Sequence, residues 1–258
     1  MATLAGNTGR TGASDHRFFL IVALLQAAVI FAGFSLQLAM GRSSFSAPLL
    51  FHAHAVVFMG WVVLYVTQVA LVAGGSLALH KRLGWLAAAW LVPMTILGPM
   101  ITLARIQEGR APFFFLPQHF LVANPLNLAS FVGLTVAAVA MRRRTDWHRR
   151  LHLVAMSAIL GPGFGRLLPM PLMTPYAWQA SVLIALVFPV AGMVWDWRRT
   201  GRVHRAWWWG TGAFLAIFAL GEVIAVSPIG AAVYGWAVAG TPGAAVPGLE
   251  FGSPPPAA

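Results

Sequence analysis

Seven apolar runs follow one another along this chain, near residues 18–40, 51–75, 83–104, 120–141, 151–170, 178–196 and 206–227. Runs of roughly 17–25 residues are long enough to cross about 30 Å of hydrocarbon. In lipid every backbone N–H and C=O must find a partner inside the protein, so such runs predict helices and exclude open sheets. The expected fold class is an all-α integral membrane protein with about seven transmembrane helices, its domain covering 16–240. Residues 1–15 and 241–258 are rich in Gly, Ala, Thr or Pro and read as disordered tails. The run 18–40 is too long for a cleavable signal segment and lacks a small-x-small site, so it reads as a retained first helix.

Composition agrees: 59% of the 258 residues are hydrophobic and 9% are charged, where a soluble domain carries about a quarter charged. The net charge of +11 invites a nucleic-acid reading, but the distribution rejects it. Basic residues cluster at 81–82, 142–144, 149–150, 198–199 and 202–205, each time between apolar runs. These are short loops at anionic headgroups, so the bilayer is the expected partner and nucleic acid is not. The absence of cysteine excludes disulfides, thiolate-held clusters, c-type haem and cysteine nucleophiles.

Charge also predicts orientation. With the N-terminus in the cytoplasm, 13 of the 17 Lys and Arg fall on the cytoplasmic side, leaving Arg42, Arg105, Arg110 and Arg166 outside. Prolines 93, 99, 162 and 189 should kink their helices, and Gly161-Pro162-Gly163-Phe164-Gly165 should break the fifth. Asn124-Pro125 suits a helix start and would leave His119 either in span four or on an interfacial segment at 112–123.

Histidines mark the ends of these spans. His52, His54 and His119 stand at the outer starts; His80, His148 and His152 stand at the inner ones. His80-Lys-Arg-Leu83 and His148-Arg-Arg-Leu151 lie 68 residues apart, and His52 and His119 lie 67 apart. Spans two–three and four–five therefore read as two related hairpins forming a four-helix core. His148 and His152 share a helix face at i, i+4, whereas His52 and His54 point about 200° apart. At helix N-termini the dipole disfavours imidazolium and leaves the neutral, metal-binding ring.

Glu222 and Arg166 are isolated charges within outer half-spans. Burial without a partner is costly, so they should pair with each other or with His54 or His119. Arg166 is also a candidate for holding a haem propionate. Gln68, mid-span, should make an interhelical hydrogen bond. Met170 and Met173 are possible soft ligands but read better as packing.

Two stretches carry a resemblance. His52-Ala-His54 through Trp61, Gln68 and His80-Lys-Arg-Leu-Gly84, with Trp147-His148-Arg-Arg through Arg166, resembles an uncharacterised bacterial domain-of-unknown-function family of multi-pass membrane proteins. That family implies a bacterial inner-membrane location but no activity. At the methionine usual after its His-Arg-Arg this chain has His152. The helix-by-helix histidines are also similar in architecture to di-haem transmembrane cytochromes b, which implies the pairs His54 with His119 and His80 with His148 or His152. Twenty-six residues separate His54 from His80, or about 39 Å of helix. Two haems would then lie far apart, and a single haem also fits.

The leading expectation is a redox protein binding haem b through histidine pairs and exchanging electrons with a quinone or a periplasmic partner. One alternative is a non-haem iron, copper or zinc site made from His52, His54, His119 and Glu222. The other is a cofactor-free transporter or an accessory subunit of a larger membrane complex.

Overall fold

The computed structural model describes residues 2–43 and 45–253, with side chains from Ser14 onward. No strand occurs among the described residues. Among the described residues ten α-helices follow in order: α1 (Ala2–Ala39), α2 (Leu49–Ala73), α3 (Leu77–Gln107), α4 (Pro117–Ala140), α5 (Thr145–Ala158), α6 (Gly161–Leu167), α7 (Ala177–Leu183), α8 (Val187–Thr200), α9 (Arg205–Ala225) and α10 (Pro228–Val238). Six stretches among the described residues are long and apolar enough to cross a membrane: 14–39, 49–73, 77–107, 117–140, 177–200 and 205–225.

The fifth expected run is divided. α5 stops at Ala158, and α6 starts at Gly161 with Pro162 in its first turn. Proline tolerates that position because the first-turn N–H has no helical partner to lose. The break therefore precedes the Gly-Pro-Gly stretch rather than running through it. Upstream of Pro189 a 3-10 turn at Ile184–Leu186 joins α7 to α8, a local tightening where proline removes a donor. Pro93, Pro99 and Pro125 remain inside continuous helices. α4 starts at Pro117, close to the expected 120, with Asn124-Pro125 inside it, so His119 lies in its first turn and not on an interfacial segment. Asn124 instead donates to the Thr102 hydroxyl at 2.7 Å.

The hairpins α2–α3 and α4–α5 form as expected, with α3 against α4. Their four helices are not an equal core. α4 is central and packs along α9 as extensively as along α5, while α2 and α3 are largely exposed at the periphery. On the other side α1 lies against α2 and α6. There Gly33 comes so close to the Gly163 carbonyl that a Cβ would collide with it, the close backbone approach that small residues allow between membrane helices.

Contacts sort the helix ends. At one end, here the basic end, Asp15 of α1 pairs with Arg149 of α5 at 2.8 Å and with Arg199 of α8. At the far end, Phe34 of α1 packs under Arg166 of α6.

Two expectations about the tails change. Of the expected N-terminal tail, 1–15, only Ser14 and Asp15 have described side chains, and Asp15 is tied down as above. The segment 241–253, expected to be disordered, packs at the far end. The Gln118 N–H donates to the Gly248 carbonyl at 2.8 Å, the Gly252 N–H to the Phe113 carbonyl at 3.0 Å, and the Tyr234 hydroxyl to the Val246 carbonyl at 2.8 Å. Its glycines permit this docking, since a Cβ at Gly243 would strike the Ile106 carbonyl. Residues 254–258 lie outside the described residues.

Candidate functional site

A turn through Gly75, at φ +79°, sends the chain from α2 into α3 and sets His80 in the first turn of α3. A second tight turn, 141–144, starts α5 and brings His148 to the same end. The two rings stand 6.2 Å apart between centroids at 84° to one another. His152, one turn along α5, meets His148 edge to face at 4.6 Å. His148 Nδ1 lies 2.7 Å from the Ala138 carbonyl. A carbonyl only accepts, so Nδ1 carries the proton and Nε2 is left with its lone pair.

Gln68 completes the cluster. Its amide nitrogen lies beside Gly84, one turn after His80, and its main-chain carbonyl faces the His80 ring. Both side-chain amide atoms and His80 Nδ1 are buried without a hydrogen-bond partner. The interhelical bond expected of Gln68 is therefore not made. Buried polar atoms of this kind cost free energy unless something satisfies them.

Towards mid-bundle, Tyr65 donates to Gln26 Oε1 at 2.9 Å, and Gln26 Nε2 donates to the Ser157 hydroxyl at 2.9 Å and the Leu153 carbonyl at 3.2 Å. This network links α1, α2 and α5. Gln26 sits mid-run in the sequence as Gln68 does, and that was the signal for it.

At the far end the expected residues separate into two groups. His119 Nε2 and Glu222 Oε1 lie 2.8 Å apart, and Gln179 donates to Glu222 Oε2 at 2.6 Å. Trp178 flanks the His119 ring at 5.4 Å. Glu222 thus pairs with His119 and not with Arg166. His54 instead stacks on Phe58 at 4.2 Å, away from the His119–Glu222 pair. Arg166 donates to the Pro162 carbonyl at 2.8 Å and lies 4.0 Å over the Phe34 ring.

The non-haem set of His52, His54, His119 and Glu222 is not assembled; among the described residues no group of three or more His, Asp or Glu is placed to hold a metal ion. The helix geometry explains why. His52 points away from His54 and lies 3.1 Å from the Phe45 carbonyl, while His119 and Glu222 hold each other. Arg166 cannot serve a group at the basic end either. It neighbours Arg105, which stands 25 residues along α3 from His80, about 37 Å. Met170 and Met173 pack in the apolar core.

No family model, curated protein or solved structure matches this chain. The site must therefore be read from its own chemistry.

Sequence reasoning missed one further constellation. Arg150 makes a bidentate pair with Asp196, which also accepts from the Trp207 indole at 2.8 Å. His204 caps α9 by accepting from the Ala206 N–H at 3.1 Å, and its Nε2 lies 2.9 Å from Asp146. Asp196 was visible as an acid between two tryptophans at the edge of the sixth run.

Proposed function

We propose that this chain is an integral membrane redox protein that holds one haem b at its basic end between His80 and His148. The observation that carries the reading is the approach of those two rings, with His148 fixed in the tautomer that frees Nε2. His80 and His148 would hold the group, and their ring centres stand 6.2 Å apart. The Ala138 carbonyl plays the outer-sphere part that orients ligating histidines and raises their basicity. When bound, haem supplies reversible one-electron transfer. The protein's own residues orient the imidazoles: His152 braces the His148 ring, and Gln68 offers an unpartnered amide beside His80.

The topology proposed with it counts α5 and α6 together as a broken crossing. That gives seven crossings, with the basic end in the cytoplasm and the chain in a bacterial inner membrane. The clustering of Asp15 with Arg149 and Arg199 supports placing those helix ends on one side, and the positive-inside bias supports making it the cytoplasmic side. A haem there lies about 30 Å of hydrocarbon from the periplasm, which favours a quinone in the bilayer over a periplasmic electron partner.

A second reading, a cofactor-free transporter or accessory subunit, is favoured by the His119–Glu222–Gln179 group, which puts a carboxylate inside the far half of the bundle. Absorption spectra of the detergent-solubilised protein, oxidised and then dithionite-reduced, separate the two. The redox reading expects a Soret band and a sharp reduced α-band. A featureless spectrum from protein expressed with ample haem refutes it in favour of the second.

A further inference from the structure

The two imidazoles at the basic end are unequally held. His148 Nδ1 donates to the Ala138 carbonyl at 2.7 Å, whereas His80 Nδ1 is buried without a hydrogen-bond partner. A ligating histidine ordinarily donates its second ring N–H to a carbonyl or carboxylate, which sets the tautomer and raises ligand basicity. His80 therefore lacks what Ala138 gives His148.

An unused acceptor stands one helix away. Gln68 lies on α2, and a Cβ built at Gly84 of α3 would be 3.8 Å from its Nε2. Gly84 follows His80 by four residues, so the two positions share a face of α3, about 5–6 Å apart between Cβ sites. The amide of Gln68 thus enters the seam between α2 and α3 on the face that carries His80, where glycine leaves room for it. Its Oε1 and Nε2 are both buried and both unpartnered, so it offers a free acceptor whichever way round the amide is turned. A buried amide and a buried ring N–H each cost free energy while unpaired. One hydrogen bond between Oε1 and Nδ1 relieves both.

We infer that Gln68 is the positioning residue of His80. Its Oε1 accepts the Nδ1–H of His80, which leaves the Nε2 lone pair of that ring free, as the Ala138 carbonyl does for His148. The purpose of this contact rests on the redox reading; the contact itself is tested without haem.

The full chain, labelled with ¹⁵N-histidine, is purified free of haem as wild type, Gln68→Met and Gln68→Glu, with His80→Gln to assign the signal. Nitrogen NMR at about pH 9, where an ordinary imidazole is neutral, reads the tautomer. Expected is Nδ1–H for His80 in wild type, a ratio of Nδ1–H to Nε2–H about tenfold lower in Gln68→Met, and recovery in Gln68→Glu. A second readout is the midpoint potential of haem-loaded protein. A carboxylate acceptor makes the ligand more basic, so Gln68→Glu should lie below Gln68→Met by about tenfold in the redox equilibrium, or ~59 mV for one electron. A residue that merely packs would alter thermal stability and move neither quantity.

If wild type takes up no haem, the redox reading fails and the tautomer alone decides the contact. If His80 keeps one tautomer in wild type and Gln68→Met, the assignment fails; the main-chain carbonyl of residue 68, which faces the ring and survives every substitution, is then the acceptor. Should Gln68→Met not fold, wild type against Gln68→Glu decides, since a charged acceptor must displace the Nδ1 resonance of His80 and an unmoved resonance overturns the contact.

Discussion

Arg150 and Asp196 meet as a bidentate pair inside the bundle, Nε to Oδ2 at 2.8 Å and Nη2 to Oδ1 at 2.7 Å. Asp196 also accepts from Trp207, so one carboxylate joins α5, α8 and α9. Both partners are almost fully buried. Removing one of them strands the other's charge, which costs about 3–5 kcal/mol. Asp196→Asn and Arg150→Gln should each destabilise the detergent-solubilised protein by that order in denaturant unfolding. The double change Arg150→Met with Asp196→Leu should recover most of the loss. Equal losses in single and double variants would show that the pair is not the cause.

The redox reading makes a residue-specific prediction. His80→Ala and His148→Ala should each abolish the reduced α-band, whereas His54→Ala and His119→Ala should leave it intact. The reverse pattern would move the haem to the far end.

Gly33 and Gly163 set the spacing between α1 and α6. Gly33→Val should force these helices apart and cost about 1–3 kcal/mol, the usual range for overpacking. Gly212→Ala, at a position with open space around its Cβ, is the matched control. Thermal unfolding of the two variants checks the contrast.

Glu222 satisfies both His119 and Gln179. Glu222→Ala leaves two donors without an acceptor and should cost about 1–3 kcal/mol. In Glu222→Gln the amide oxygen still accepts one bond, so the cost should be smaller. Equal costs would deny the carboxylate its bridging role.

Asp146 lies at the start of α5, before the apolar run at 151–170. Partial burial pushes its carboxyl up, but the Trp147 N–H and the His204 ring outweigh this and hold it below its ordinary 3.8. A depressed carboxyl gives its stabilisation in full above the unfolded value and loses it as pH falls through the lower native value. Unfolding followed from pH 5 downward should therefore show a loss that sets in around 3.8 and deepens below it, smaller in Asp146→Asn. A loss centred near neutrality would assign the effect to another group.

Much of this arrangement was legible in the sequence, and the exceptions have physical causes. The apolar runs marked the long helices because lipid permits little else, and the repeated His-basic-Arg-Leu starts placed His80 and His148 at one end. Arg150 was misread because loop arginines of a membrane protein ordinarily face headgroups; only its register on α5 turns it inward to Asp196. The pairing of Glu222 with His119 rather than Arg166 depends on how α9 lies along α4, and hydropathy carries no such information. α10 escaped notice because its 11 residues span about 16 Å, too little to register as a crossing.

The docking of Gly252 on Phe113 imposes an order of events on biosynthesis. The two residues are 139 positions apart, and chains grow at roughly 5–20 residues per second. The loop around Phe113 consequently waits on the order of 7–28 s for the main-chain donor that pins it, while four later apolar runs are being inserted. Closure of the far face is therefore a late step, performed by the last of the described residues.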